Sequence, residues 1–312
     1  GPDWGLQLED ALLTYKATIQ PVFTYGFALY MPLLKNTWLE KLQAAQNSIL
    51  RTITGCHSLT SIDHLHQECK ILPVREHLEM LSKQYLANTL QSFHPSHDLV
   101  TAPPEPRAHL KPSLQTKYGE ALSPYLSDGR VLQINYKKVV SAIHTSDTKS
   151  AIEKYTHNRV LGCRPPLVSV EEMKLPRVFR TTLRQLRSGF CKGLQSFLHR
   201  IGASQDDRCP ACSLLPHSTF HLFHCIANPT TLTPWDLWYH PREAAEFVST
   251  LPSFSYLPPL APPPPPPPPP PCPLLRPPPE PPPAGAMGPQ APRRARSRRR
   301  SAFGGPTGVV NT

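Results

Sequence analysis

Apolar residues recur at steps of three and four through most of the first 95 positions, the spacing that puts them on one face of an α-helix. Leu39, Leu42, Ala45, Ile49 and Ile53 form one such stripe. Thr37-Trp38-Leu39-Glu40 ahead of it reads as a capping box, and Gly55 behind it supplies a stop. Val74, Leu78, Leu81, Tyr85, Leu86, Leu90 and Phe93 form a second stripe, predicting a helix over Val74 to Phe93. Leu6 to Ile19 is made mostly of good helix formers and should end at Pro21, with a further segment over Val22 to Tyr30. The periodicity then fades. Residues 94–135, rich in Pro, His and Ser, read as a linker with at most a short helix. It returns in Lys137 to Ile143, Ser150 to Val160, Arg177 to Arg187 (behind Pro176), Cys191 to Ile201 and Arg242 to Leu251. Alternating runs are scarce, so the expectation is a mainly α-helical chain.

Composition changes this picture at one end. Of 41 prolines in 312 residues, 23 lie in 252–312, and Pro262 to Pro271 is unbroken. With φ fixed and no amide donors, that run must adopt polyproline II, and too few apolar residues follow it to offset the entropy of ordering. The expectation for 252–312 is a disordered Pro/Arg-rich tail. Four segments follow: 1–95 helical, 96–160 linker and short helices, 161–251 basic helices with a Cys/His knuckle, and the tail.

The formal charge is +11, which suits a polyanionic partner. Seven Arg and one Glu give the tail +6 of that total, leaving +5 for the body. The cluster Arg293, Arg294, Arg296, Arg298, Arg299, Arg300 is a candidate nuclear-import signal weighed against a merely solvated charge run. No run of about 18 apolar residues exists, so no transmembrane helix and no membrane partner is expected. The start shows neither an initiator Met nor a signal peptide, which points to a fragment located in the cytoplasm or nucleus. The eight Cys then read as core thiols or metal ligands rather than disulfides.

One constellation carries chemistry. Cys209-Pro-Ala-Cys212, His221 and Cys225 read C-x2-C-x8-H-x3-C. The first pair makes a tight knuckle. His221 and Cys225 share a face if helical, and Ser218 is placed to cap that helix. Three sulfurs and one imidazole fit a closed, structural zinc site with no open position. His217 and His224 are alternative imidazoles for the fourth position. Beside it, Arg177, Arg180, Arg184 and Arg187 fall at steps of 3, 4 and 3, extended by Lys174, while Phe179, Leu183, Leu186 and Phe190 point elsewhere. Such a stripe is either a phosphate-binding surface or an ordinary solvated helix face; the neighbouring knuckle favours nucleic acid, RNA or DNA, held through phosphates.

Other chemistry is missing. Asp206-Asp207 sits in a polar loop and Glu171-Glu172 at a helix start, so neither builds the carboxylate cluster of two-metal phosphoryl transfer. His64 and His66, with Cys56 and Cys69, would need two side chains at i, i+2 to converge on a helix. Walker, GxSxG and GxGxxG patterns do not occur.

Tyr15-Lys-Ala-Thr-Ile-Gln-Pro-Val-Phe-Thr-Tyr25-Gly26 and Leu42-Gln-Ala-Ala-Gln-Asn47-Ser-Ile-Leu-Arg51-Thr-Ile-Thr-Gly55 resemble the segment just after the polymerase core in reverse transcriptases of non-LTR retrotransposons, the jockey type in particular. His64 to Val74 resembles the stretch that follows. Leu186-Arg-Ser-Gly189, Leu198-His-Arg-Ile-Gly202 and the Cys/His motif resemble the family's C-terminal zinc-knuckle region, and Asp236 to Leu251 its ending. The resemblance implies a thumb-like helical region over 1–95 that grips template and primer, and a zinc-stabilised module over 161–251 that holds RNA or target DNA. The family's catalytic aromatic-x-Asp-Asp motif is absent, so the chain alone is expected not to polymerise. The competing reading is a helical host protein presenting the polyproline run to SH3, WW or profilin-type domains.

Overall fold

The molecule is known from a computed structural model that describes residues 5–101, 113–127, 131–132 and 135–260. One unit spans 1–261; the expectation of disorder over 262–312 lies outside the described residues.

Helices dominate, as the apolar spacing requires: α1 (Leu8–Thr14), α2 (Gln20–Thr24), α3 (Phe27–Tyr30), α4 (Asn36–Thr54), α5 (Ile62–Cys69), α6 (Val74–Thr89), α7 (His97–Thr101), α8 (Leu114–Leu122), α9 (Tyr136–Glu153), α10 (Arg177–Ser188), α11 (Gln195–Arg200), α12 (Thr219–Leu222), α13 (Asp236–Tyr239) and α14 (Pro241–Thr250). The β-structure among the described residues is one antiparallel pair, β1 (Leu126–Ser127) with β2 (Val131–Leu132), and an isolated bridge from Arg208 to Pro216.

Several elements differ from expectation for local reasons. Pro21 does not end the first helix. It stands in the first turn of α2, where a missing amide hydrogen costs nothing, and the turn before it, Tyr15–Ile19, is widened to a π-helix. α4 begins at Asn36 without a side-chain cap, so the capping box at Thr37 does not form, whereas Gly55 does terminate the helix at φ +72°. Tyr85 and Phe93 are exposed, and the inner face of α6 turns instead through Ser82, Ala87 and Thr89. α9 runs unbroken through 144–149, because Thr145 bonds back to the Ser141 carbonyl and Asp147 pairs with Lys83 at 2.9 Å. The expected linker contains α8, whose Tyr118 and Leu122 pack with Leu86, Leu90, Val139 and Ile143.

The ordered chain also reaches further than Leu251. Phe254 and Leu257 enter a core formed by Phe179, Leu183, Leu186, Trp238 and Val248. A methyl group on Gly193 would stand 2.4 Å from the Phe254 ring, so the close approach requires glycine there. Contacts cross residue 161: the Gln185 amide donates to the Gly55 carbonyl at 2.7 Å, and the His57 and Phe197 rings meet edge-on at 5.0 Å.

Candidate metal centre and the arginine helix

The Cys/His turn is built by local backbone bonds. Cys209 N–H donates to the Leu215 carbonyl and Ser213 N–H to the Cys209 carbonyl, each at 2.8 Å, and Ser213 takes a left-handed φ of +56° to close the knuckle. The Ser218 hydroxyl caps α12 by accepting from His221 N–H at 3.2 Å, as its position before the helix predicts. α12 ends at Leu222, so His221 and Cys225 are brought together by a turn rather than by a continuous helix.

The donor atoms of Cys209, Cys212, His221 and Cys225 all lie within 4.8 Å of one another, and together they could hold one metal ion. Cys209 and Cys225 Sγ are 3.7 Å apart; Cys212 Sγ is 3.2 Å from His221 Nε2. The backbone N–H groups of Leu214 and Leu215 pull the Cys212 thiol below its ordinary pKa, whereas burial raises that of Cys209. The other two imidazoles are occupied elsewhere. His217 is buried, accepts from Gln195 N–H through Nδ1, and is pushed down to about 4 by burial, which keeps it neutral. His224 is exposed and stacks on Phe220 at 4.3 Å. The turn is docked on α10 by Thr219, whose hydroxyl donates to the Leu186 carbonyl at 2.9 Å.

The arginine stripe lies elsewhere than expected. Arg180, Arg184 and Arg187 are only 3, 2 and 0 % exposed. α10 is surrounded: Phe179, Leu183 and Leu186 face the core, while Thr181 and Ser188 on the opposite side are buried too. The guanidinium groups meet two buried carboxylates. Arg184 reaches Glu172 at 3.1 Å and Glu68 at 3.8 Å; Arg187 reaches Glu68 at 3.2 Å and also pairs with Glu172. Arg180 bonds Glu9 at 2.8 Å, and Arg187 Nε donates to the Leu237 carbonyl at 2.9 Å. Half-buried Arg177 donates to the Leu6 carbonyl and, at 3.2 Å, to that of Ile53 near the C-terminus of α4, where a cation is favoured. The expectation that Arg177, Arg180, Arg184 and Arg187 form a phosphate-binding face is therefore corrected: these side chains join α10 to the N-terminal helices. Burial alone would raise the Glu68 carboxyl, but Arg187, His64 and Arg184 outweigh it and hold it below its ordinary value. Burial likewise works against the charged form of Arg187, and Glu172 and Glu68 more than reverse it.

Part of this chain is similar to a transposon polymerase. The probable RNA-directed DNA polymerase from transposon X-element of Drosophila melanogaster is 30 % identical over 80 residues, which make up 26 % of this chain and 9 % of that protein. No protein-family profile matches the chain, and no solved structure does. The match agrees with the resemblance to a retrotransposon reverse transcriptase read from the sequence.

The remaining candidates stay apart. His66 Nδ1 lies 2.7 Å from the Ile71 carbonyl, and His64 Nε2 lies 3.9 Å from Glu68, so the two imidazoles serve different neighbours. The Asp206 side chain accepts from Arg208 N–H within its own loop. Glu172 does stand in the first turn of a short helix, Val170–Lys174, as its place in the sequence suggests, but neither its pairing with Arg184 and Arg187 nor that of Glu68 was legible there. One trace is present in α10 itself: Thr181 and Ser188, both short, stand opposite its apolar stripe among Arg177 and Arg184.

Proposed function

We propose that this chain is a nucleic-acid-binding, C-terminal piece of a jockey-type non-LTR retrotransposon reverse transcriptase, without polymerase activity of its own, whose Cys/His turn holds one structural zinc ion. The similarity to the X-element polymerase carries the reading. The cluster supports zinc by its chemistry: three thiols and an imidazole are a closed tetrahedral donor set. Two thiolates sharing a tetrahedral zinc at about 2.3 Å each sit about 3.8 Å apart, close to the 3.7 Å between Cys209 and Cys225. The ion would stabilise a turn too small to have its own core and so fix the surface around it.

With the α10 arginines turned inward, phosphate contacts fall to cations elsewhere. The test is binding of labelled single-stranded RNA and duplex DNA across a salt series, with a peptide of residues 262–312 as reference for the tail's own affinity. The reading expects the full chain to show a steeper salt dependence than the peptide, by about 0.7 to 0.9 in log–log slope for each added phosphate contact. Equal slopes and affinities would refute nucleic-acid binding by the body. Template-dependent nucleotide incorporation by the pure chain would refute its lack of activity.

A further inference from the structure

We propose that the recess between α5, the loop 154–163 and the α10–α11 junction is a binding site for a phosphate group, gripped by Arg159 and Arg200. The recess encloses about 160 Å³, room for a phosphate and a few waters at about 30 Å³ each. Ser61, His64, His157, Asn158, Arg159 and Arg200 are among the residues that line it, and its lining contains no carboxylate.

The two arginines differ from those of α10. Both are exposed, and among the described residues neither has an acidic partner. Each instead rests on the Phe190 ring, with guanidinium carbons 4.8 and 5.4 Å from its centroid. Stacking on an aromatic face restrains a long side chain while leaving the planar donor fork free, the form in which Arg grips phosphate.

The surroundings are built rather than loose. Asn158 is buried; its amide donates to the Arg187 carbonyl at 3.1 Å, and its side-chain oxygen accepts from Val160 and Leu161 N–H at 2.9 and 3.1 Å. Thr156 donates twice to Asp63, at 2.9 and 2.8 Å, tying the loop to α5 and occupying that half-buried carboxylate. Gly189, at φ +75°, has no Cβ, and the Arg159 stem lies across the space a methyl would contact. On the inner wall, His64 is 94 % buried and its Nε2 has no hydrogen-bond partner, an unspent polar atom beneath two unspent cations. Glu68, 3.9 Å from that nitrogen, is already bonded to Arg187.

The phosphate could belong to a nucleic-acid strand or to a free nucleotide. Its assignment to a strand rests on the function proposed above; the anion chemistry of the recess does not. The test uses the full chain and its Arg159→Gln/Arg200→Gln variant, both surface changes, followed by hydrogen exchange read peptide by peptide so that tail binding does not obscure the result. The probes are a single-stranded RNA oligonucleotide, a mononucleotide and inorganic phosphate. The expected result is slower exchange over 155–163 and 195–201 with the oligonucleotide, lost in the variant, together with a salt slope lower by about 1.4 for two contacts. Protection by mononucleotide or phosphate alone would keep the site and reassign its ligand to the free molecule. Oligonucleotide protection elsewhere on the body, with no change here and an unchanged slope in the variant, would overturn this site and leave the nucleic-acid reading standing. No protection of the body by any probe would overturn both.

Discussion

The Cys/His turn and the arginine helix adjoin in space and are bonded to each other through Thr219 and Leu186, yet they were legible in the sequence to opposite degrees. The four metal-site residues lie within 17 positions, and short-range backbone bonds bring them together, so their spacing already specifies the cluster. The arginines of α10 also have regular spacing, but their meaning depends on Glu9 and Glu68, more than a hundred positions away. Local spacing reports which residues share a face. It does not report what that face meets.

Removing one buried anion should have the largest effect. Glu172→Ala leaves Arg184 and Arg187 without a main partner, and an uncompensated buried charge costs about 3 to 5 kcal/mol. Urea unfolding should show a loss of that size; a change below about 1 kcal/mol would mean the arginines find water, and that α10 has a wet face after all.

Acid should act next, and gradually. Burial depresses His64 and His66 below the ordinary 6.5, so in the folded state they stay neutral while the unfolded chain binds protons. Stability therefore falls as pH drops below about 6.5. A second loss begins below about 4.5, where Glu68 and Glu9 (held down by Arg180) protonate in the unfolded chain before the folded one. A urea midpoint that stays constant or rises between pH 6.5 and pH 4 would contradict the buried network.

The smallest expected effect lies in the turn. Ser218→Ala removes the cap on α12 and should cost about 1 kcal/mol in the metal-loaded protein. No loss at all would indicate that the ion alone holds the turn.

The mainly helical class, the run of α10 from Arg177 and the stop at Gly55 were readable because capping and apolar spacing are local properties. The unbroken α9 was not, since Asp147 finds its partner Lys83 in another helix. Nor was the order of 252–260: Pro252 and Phe254 read as the start of a disordered Pro/Arg-rich tail, and only the glycine at 193 makes room for the Phe254 ring. In the candidate site, Cys209, Cys212, His221 and Cys225 came from spacing alone. Setting aside the alternatives His217 and His224 required the structure, which buries one beside Gln195 and stacks the other on Phe220.

The Cys/His turn is proposed as a metal centre beside arginines that serve as internal struts. Native mass spectrometry of the full chain tests the metal directly. One zinc per chain is expected, absent from Cys212→Ser and Cys225→Ser and retained by His217→Gln and His224→Gln. A metal-free folded chain, or zinc retained after either cysteine substitution, would contradict it.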